Sequence, residues 1–382
     1  MKIVIAPDSF KGTLTASEVC NSIEKGIKNF IPNAKTVKLP LSDGGEGFVE
    51  TMVSSTGGYI EKVWVKDPIG RKLEASFGIL GDKKTAAIEM AAASGLTLLD
   101  DMERNPLKTS TYGTGQLIKA AMDKNIKKII MGIGGSATVD GGVGMAMALG
   151  IRFLDKYCEP IGLGGGELEK IHTIDTGNID PRVKNVQIEV ACDVSNPLTG
   201  NSGAAIVFGP QKGASPLMAK KLDHYLTVFA LKVKEQLNKD IEFMPGSGAA
   251  GGLGAGLLAF TNSILKSGIE LVLQYSNFDI HVKEADLVIT GEGKVDDQTL
   301  SGKVPMGVAK LAALAGCPVV IIAGKIEGNI QKFHPYNIHA LFSIIPDIIP
   351  ENELYARTPL LLENCAEQII RAIYLGKMLK NH

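Results

Sequence analysis

Short aliphatic runs alternate along this chain with stretches whose apolar positions recur at helical spacing. The opening run, Lys2-Ile-Val-Ile-Ala6, predicts a buried strand over 2–6. A helix is expected over 15–30, where Thr15 and Glu18 have the spacing of a capping box. A second strand over 36–39 precedes a helix over 46–54, which Gly57-Gly58 would stop. The rhythm then changes. Segments 59–66 and 72–80 flank Asp67-Pro-Ile-Gly70, the pattern of a β-hairpin. Strands are expected over 127–131 and 187–191, and helices over 143–149 and 216–236. Simple alternation returns late, with a strand over 285–290, a helix over 304–315, strands over 318–323 and 340–344, and a closing helix over 360–379.

Alternating strands and helices are the mark of α/β architecture. The two ends share one pattern and the middle has another. The expected fold is therefore a flavodoxin-like, doubly wound parallel-sheet domain interrupted by an inserted, mixed α/β domain. The outer domain takes residues 1–58 and 282–382, and the insert takes 59–281. A length of 382 residues fits two domains, at roughly 100–200 residues each. The longest uncharged stretch, 245–265, has the length to span a bilayer. Gly246, Gly248, Gly251, Gly252, Gly254 and Gly256 crowd its first half, so it reads as a glycine-rich loop entering a helix.

Charge narrows the partners. The chain has 40 basic and 41 acidic residues, which gives no electrostatic case for nucleic acid or an anionic membrane. A small anionic substrate needs only a local patch. The cysteines (Cys20, Cys158, Cys192, Cys317 and Cys365) are odd in number and form no CxxC pair. They read as reduced thiols, not as a zinc site or disulfide framework. The start has no ordered charged, apolar and cleavage regions, so no secretory leader is expected and a cytoplasmic protein is. A monomer or homodimer is equally compatible with these features.

Polar, glycine-containing loops follow the predicted outer strands. They are Asp8-Ser-Phe-Lys11-Gly12, Ser42-Asp43-Gly44-Gly45-Glu46-Gly47 and Thr290-Gly-Glu292-Gly-Lys294-Val-Asp296-Asp297. Open parallel sheets bind ligands beyond the carboxyl ends of their strands, where strand order reverses. With order 2-1-3-4-5, Lys11 and Lys294 would face one crevice. Ordinary turn chemistry explains one such loop more easily than three. The middle supplies Thr109-Ser-Thr-Tyr-Gly-Thr-Gly115, Gly134-Gly135-Ser136-Ala-Thr138-Val-Asp140-Gly-Gly142 and Gly246-Ser-Gly248-Ala-Ala-Gly251-Gly252-Leu-Gly254, each leading into a helix. Free N–H groups at a helix start favour anions, although close helix packing selects glycine too. Cys192-Asp193-Val-Ser195-Asn196-Pro197 closes an apolar strand, where Asp193 suits magnesium, a hydroxyl proton, or simply an Asx turn.

Absences narrow the class. No GxxxxGK[ST] P-loop, first-strand GxGxxG, protein-kinase motif set or GxSxG elbow is present, and Gly209-Pro-Gln-Lys212-Gly213 lacks P-loop spacing. None of the six histidines shows HExxH or paired ligand spacing.

The strings Ala6-Pro-Asp-Ser-Phe-Lys-Gly12, Leu41-Ser-Asp-Gly-Gly-Glu-Gly47, Gly134-Gly-Ser-Ala-Thr-Val-Asp-Gly-Gly142, Cys192-Asp-Val-Ser-Asn-Pro-Leu198 and Thr290-Gly-Glu-Gly-Lys-Val-Asp296 closely resemble the bacterial glycerate kinase family, of glycerate 2-kinase type. The resemblance covers essentially the whole chain. It implies ATP plus D-glycerate giving ADP and a phosphoglycerate, the 2-isomer favoured, with magnesium required and the site in an interdomain cleft. On that basis Lys11 and Lys294 are the expected cations for phosphate oxygens or the glycerate carboxylate. Asp193 is the first choice for general base or magnesium ligand, with Asp8, Asp43 and Asp296 competing. Gly134, Gly135, Ser136, Gly248, Gly251 and Gly252 are candidate phosphate cradles. Ser9, Gly44, Gly45, Glu46, Thr138, Asp140, Glu292 and Gly293 complete the expected binding set. Two rival classes are an NAD-linked hydroxy-acid dehydrogenase, which would need a first-loop GxGxxG, and a non-catalytic binding protein on a kinase fold, in which the charged loops would have decayed.

Overall fold

A computed structural model of the chain describes residues 1–42, 44–45, 47–347 and 349–380. The strands in chain order are β1 (Lys2–Ile5), β2 (Lys35–Lys38), β3 (Tyr59–Lys66), β4 (Lys72–Ile79), β5 (Thr85–Glu89), β6 (Lys128–Gly132), β7 (Arg152–Leu154), β8 (Thr173–Asp175), β9 (Gln187–Ala191), β10 (Asn262–Lys266), β11 (Leu287–Val295), β12 (Val319–Ile326) and β13 (Ile338–Ser343). The chain divides into two compact units, Met1–Asp43 with Ile269–His382, and Gly44–Gly268.

The first unit holds a wholly parallel sheet in the order β13-β12-β11-β1-β2. Counted within this unit, that is the flavodoxin-like order 2-1-3-4-5. Its central strands are continuous aliphatic runs because both faces are covered; Ile3, Val4, Ile5, Val288, Ile289, Ile321 and Ile322 are fully buried. The helices Ala16–Phe30 and Glu351–Lys380 pack together over this sheet, placing Val19, Ile23 and Ile27 in one core with Leu362, Ala366 and Ile370. The capping box forms: the Thr15 N–H donates to Glu18 Oε2 at 2.8 Å and the Glu18 N–H donates to Thr15 Oγ1 at 3.3 Å.

Two expectations for this unit need correction. β11 does not stop at residue 290. It continues to Val295 because β12 continues beside it, pairing Glu292 with Ala323 and Lys294 with Lys325. Gly291 permits this approach, since a Cβ there would lie 2.0 Å from the Ile322 carbonyl oxygen. Thr290–Val295, read as loop, is thus mostly strand. The closing helix starts at Glu351, not at 360, and carries Pro359 inside it. A proline costs an interior helix bond, but Thr358, Leu361 and Leu362 around it are buried in the unit and hold the helix on course.

The second unit holds a six-stranded sheet in the order β10-β9-β6-β5-β4-β3. The pairs β10–β9, β9–β6 and β6–β5 are parallel, and the expected hairpin β3–β4 closes the edge antiparallel. The stretch read as a glycine-rich loop entering a helix does so: the segment Ala249–Phe260 is broken by left-handed backbone at Ala250, Gly251 and Gly252 (φ 53°, 70° and 90°) before it continues as helix, and β10 follows. The helix Phe48–Thr56 belongs to this unit. Its Val49 N–H donates to Glu89 Oε1 at 2.9 Å, and Val49 and Val53 fill the space a side chain at Gly78 would need. The helix Gly268–Tyr275 goes with the first unit, where Ile269 occupies the space beside Gly307. The joints therefore fall at 43/44 and 268/269, where rhythm suggested 58/59 and 281/282.

Candidate active site

β1 and β11 are neighbours, and strand order reverses between them. The Thr290 hydroxyl donates to the Ala6 carbonyl at 2.7 Å and the Asp8 N–H donates to the Gly291 carbonyl at 2.8 Å, so the two strand ends are tied together. Beyond them lies a cavity of about 380 Å³ lined by Asp8, Ser9, Lys11, Glu292, Gly293 and Lys294, together with Lys303 and Lys325. Lys294 Nζ sits 2.8 Å from Glu327 Oε2 and 3.2 Å from Asp296 Oδ2, and those carboxylates, Glu327 first, raise its pKa. Asp296 is held low: burial would raise its carboxyl, but hydrogen bonds from Lys294 and from the Gln298 N–H outweigh it. Glu292 is buried. Burial pushes its carboxyl up, against a 2.6 Å bond from the Thr299 hydroxyl and a 3.3 Å contact with Lys303 Nζ. Asp8 is buried too, and its Oδ1 accepts the Ser9 N–H at 2.6 Å.

In the second unit, three predicted loops converge beyond the carboxyl ends of β6 and β9. A Cβ at Gly132 would lie 2.5 Å from the Gly44 carbonyl oxygen, one at Gly134 would lie 3.3 Å from Gly45 Cα, and one at Gly44 would lie 2.7 Å from the Ala191 methyl. Only glycine allows these segments to nest so closely. Asp43 and Glu46 lie outside the described residues. Asp193, two residues past Ala191, is exposed; its Oδ1 accepts the Ser267 hydroxyl at 3.1 Å and the Gly268 N–H at 2.9 Å.

Behind these loops sits a buried polar cluster. Asp140 is wholly buried and accepts the Thr111 N–H at 2.8 Å, the Thr111 hydroxyl at 2.9 Å, the Ser110 hydroxyl at 3.3 Å, and the N–H groups of Gly142 and Gly144 at 3.2 Å each. It ties the 134–142 loop to the segment before the helix Tyr112–Asp123. Burial pushes its carboxyl up against those donors. Lys212 is 1% exposed, and its Nζ donates to Ser136 Oγ at 2.6 Å and to the Thr138 carbonyl at 2.8 Å. Burial pushes this ammonium down to about 7, with the Asp140 charge opposing. The buried Thr138 hydroxyl has no hydrogen-bond partner among the described residues. Close packing accounts for the glycines of the third loop. A Cβ at Gly251 would meet the Thr138 carbonyl oxygen at 1.8 Å, one at Gly252 the Gly141 Cα at 2.8 Å, and one at Gly248 the Pro197 carbonyl oxygen at 2.1 Å. The Gly248 N–H is spent on the Asn196 carbonyl at 3.0 Å.

A sequence profile described as the Glycerate kinase family matches residues 3–374. The chain belongs to the glycerate kinase family. It is 50% identical to a glycerate kinase of Halalkalibacterium halodurans over 96% of this chain and 97% of that one. It is also 50% identical to the glycerate 2-kinase of Escherichia coli K12, over 91% of each. A solved structure from Salmonella typhimurium LT2, provisionally named glycerate kinase 2, superposes with a TM-score of 0.91 at 46% identity, covering 99% of both chains. Members of the glycerate kinase family are phosphotransferases, and this chain is an enzyme of that class. Among its described residues, no helix is long and apolar enough to cross a membrane.

For this member of the glycerate kinase family, the sequence pattern passed over three lysines that the fold makes prominent. Lys325 reaches the cavity because β11–β12 register sets it opposite Lys294, and register between distant segments is not written in either segment alone. Lys303 precedes the helix Val304–Leu314 with no motif around it. Lys212 stood in view only as part of a failed P-loop match; its signal is a lone cation between Pro210 and Gly213 that the structure buries.

Proposed function

We propose that this chain transfers the terminal phosphoryl group of ATP to D-glycerate, giving ADP and a phosphoglycerate, with the 2-phospho isomer favoured. The observation that carries the reading is 50% identity, over 91% of each chain, to the glycerate 2-kinase of Escherichia coli K12. Phosphoryl transfer asks a protein for charge neutralisation and in-line positioning more than for covalent help. Lys11 and Lys294, which line the same cavity, suit the phosphate oxygens. Asp193 suits the task of taking the proton of the attacking hydroxyl, and Asp8, Asp43 and Asp296 are the competing acids. The described residues hold no group of three or more His, Cys, Asp or Glu side chains placed to hold a metal. Magnesium enters this reading as part of the nucleotide substrate, touched by one or two carboxylates such as Asp193, the usual manner for phosphate-bound magnesium. When bound, it supplies charge neutralisation at the phosphates.

A coupled assay of ADP release, with and without D-glycerate, tests the reading. We expect release only with glycerate, abolished by EDTA, restored by excess magnesium, and yielding 2-phosphoglycerate. Release that ignores glycerate, or full rate in metal-free buffer, would remove it.

A further inference from the structure

We infer that the cavity beyond β1 and β11 is the pocket of a purine nucleoside di- or triphosphate, with the base against its apolar lining and the phosphates at its lysines, and not the seat of the hydroxy acid. The inference rests on the phosphotransferase reading above and assigns one of its two substrates to a place.

The cavity lining is of two chemical kinds. Lys11, Lys294 and Lys325 bring ammonium groups to it; Ile344, Ile345 and Tyr355 bring apolar and aromatic surface. Its volume of about 380 Å³ lies within the range of roughly 300–1,000 Å³ usual for small-molecule sites. A three-carbon acid that carries oxygen on every carbon has no apolar surface to set against isoleucines. Filling this space with it would leave the apolar lining wet or bare. A nucleotide has both halves: a flat base with a π-face, and a polyanion.

The charges agree. Lys294 and Lys325 both contact the carboxylate of Glu327, and Lys294 also reaches Asp296 at 3.2 Å; Lys11 adds a third ammonium group to the lining. Glu292, the deeper acid, is engaged by Thr299 and Lys303. Two of the lining residues, Gly293 and Gly324, carry no side chain and lie against each other, since a Cβ at Gly324 would meet the Gly293 carbonyl oxygen at 2.5 Å. Glycines in the lining let a phosphate come close to the main chain. Tyr355 lines the cavity and is 47% exposed, which puts an aromatic side chain within reach of a base.

The test uses the full chain and a fluorescent ADP analogue, with binding measured for wild type, Tyr355→Ala and Ile345→Glu. Loss of an aromatic stacking partner weakens base binding by about tenfold or more. Ile345→Glu sets a carboxylate where the base would lie, and we expect at least as large a loss. Melting temperature reports folding of each variant, and the KM for D-glycerate should stay within about twofold of wild type. Two folded variants with unchanged ADP affinity would overturn the assignment, as would a rise in the glycerate KM alone. If wild type shows no glycerate-dependent turnover while both variants lose ADP binding, the nucleotide pocket stands and the glycerate reading falls.

Discussion

Lys212 shows most directly how a single side chain is set by its surroundings. Its ammonium has left water for a site with two acceptors, Ser136 Oγ and the Thr138 carbonyl. Its native pKa of about 7 lies below the ordinary value of 10.5. Between those values the unfolded chain binds the extra proton, so stability rises with pH through that window and the penalty is full below about 7. The slope contributed is at most about 1.4 kcal/mol per pH unit. Lys212→Met has no proton to lose, so its urea-unfolding stability should rise less between pH 7 and 10 than that of wild type. Parallel curves would place the native pKa of Lys212 near its ordinary value. Asp193 offers a second residue-level test. Its Oδ1 accepts from Ser267 and Gly268, and the amide oxygen of Asn can accept both bonds. Asp193→Asn should therefore melt within about a degree or two of wild type, a change well under 1 kcal/mol. A general base contributes about 10²–10⁴-fold, so turnover should fall by that order and recover only in part at high magnesium. Wild-type turnover would make Asp193 a turn residue and leave Asp8 and Asp296 as the leading acids.

At the scale of elements, Gly26 lets two opposing effects be weighed. Replacing a mid-helix glycine with alanine gains about 1 kcal/mol of helix propensity. Here the added methyl would stand 2.1 Å from the Glu363 carbonyl oxygen, on the helix that crosses it. That neighbour is backbone and cannot swing aside, and overpacking costs about 1–3 kcal/mol. Gly26→Ala should therefore be destabilising, with a lower urea midpoint; a higher midpoint would show that the helices can separate without cost. What was legible in the sequence was local. The Thr15–Glu18 box, the Asp67–Gly70 turn and the aliphatic runs of β1, β6, β9 and β12 each announce themselves within a few residues. What was not legible depended on distant partners. β5, Thr-Ala-Ala-Ile-Glu, has little aliphatic bulk, yet lies inside the second sheet because β4 and β6 flank it. The extension of β11 depends on β12, and the helix running through Pro359 depends on the core beneath it. The candidate site divides in the same way. Its glycine strings were visible, whereas Lys325, Lys303 and Lys212 gained their places from register and burial.

At the scale of the molecule, connectivity makes the two units unequal. The first unit is built from both ends of the chain, so Gly44–Gly268 is a loop within it. The second unit is one continuous stretch and needs no other segment to close its sheet. If the second unit unfolds while the first stays folded, the first must hold together the ends of a long flexible loop. Loop closure grows only as the logarithm of length, and for a loop of this size it costs on the order of 5 kcal/mol. If the first unit unfolds, the second merely acquires loose tails. Its separate cores, one gathering Ile129, Ile188 and Val190 and another Phe153, Phe229 and Phe260, stay whole. Native-state hydrogen exchange reads this asymmetry directly, because each amide reports the opening free energy of its own cooperative unit. Amides of β6 and β9 should exchange more slowly than those of β1 and β11, and should stay protected at urea concentrations where β1 and β11 have opened. A saturating nucleotide should then raise the protection of β1 and β11 by about 2.7 kcal/mol at a hundredfold excess over its Kd. Earlier opening of β6 and β9 would show that packing strength, not chain connectivity, sets the order.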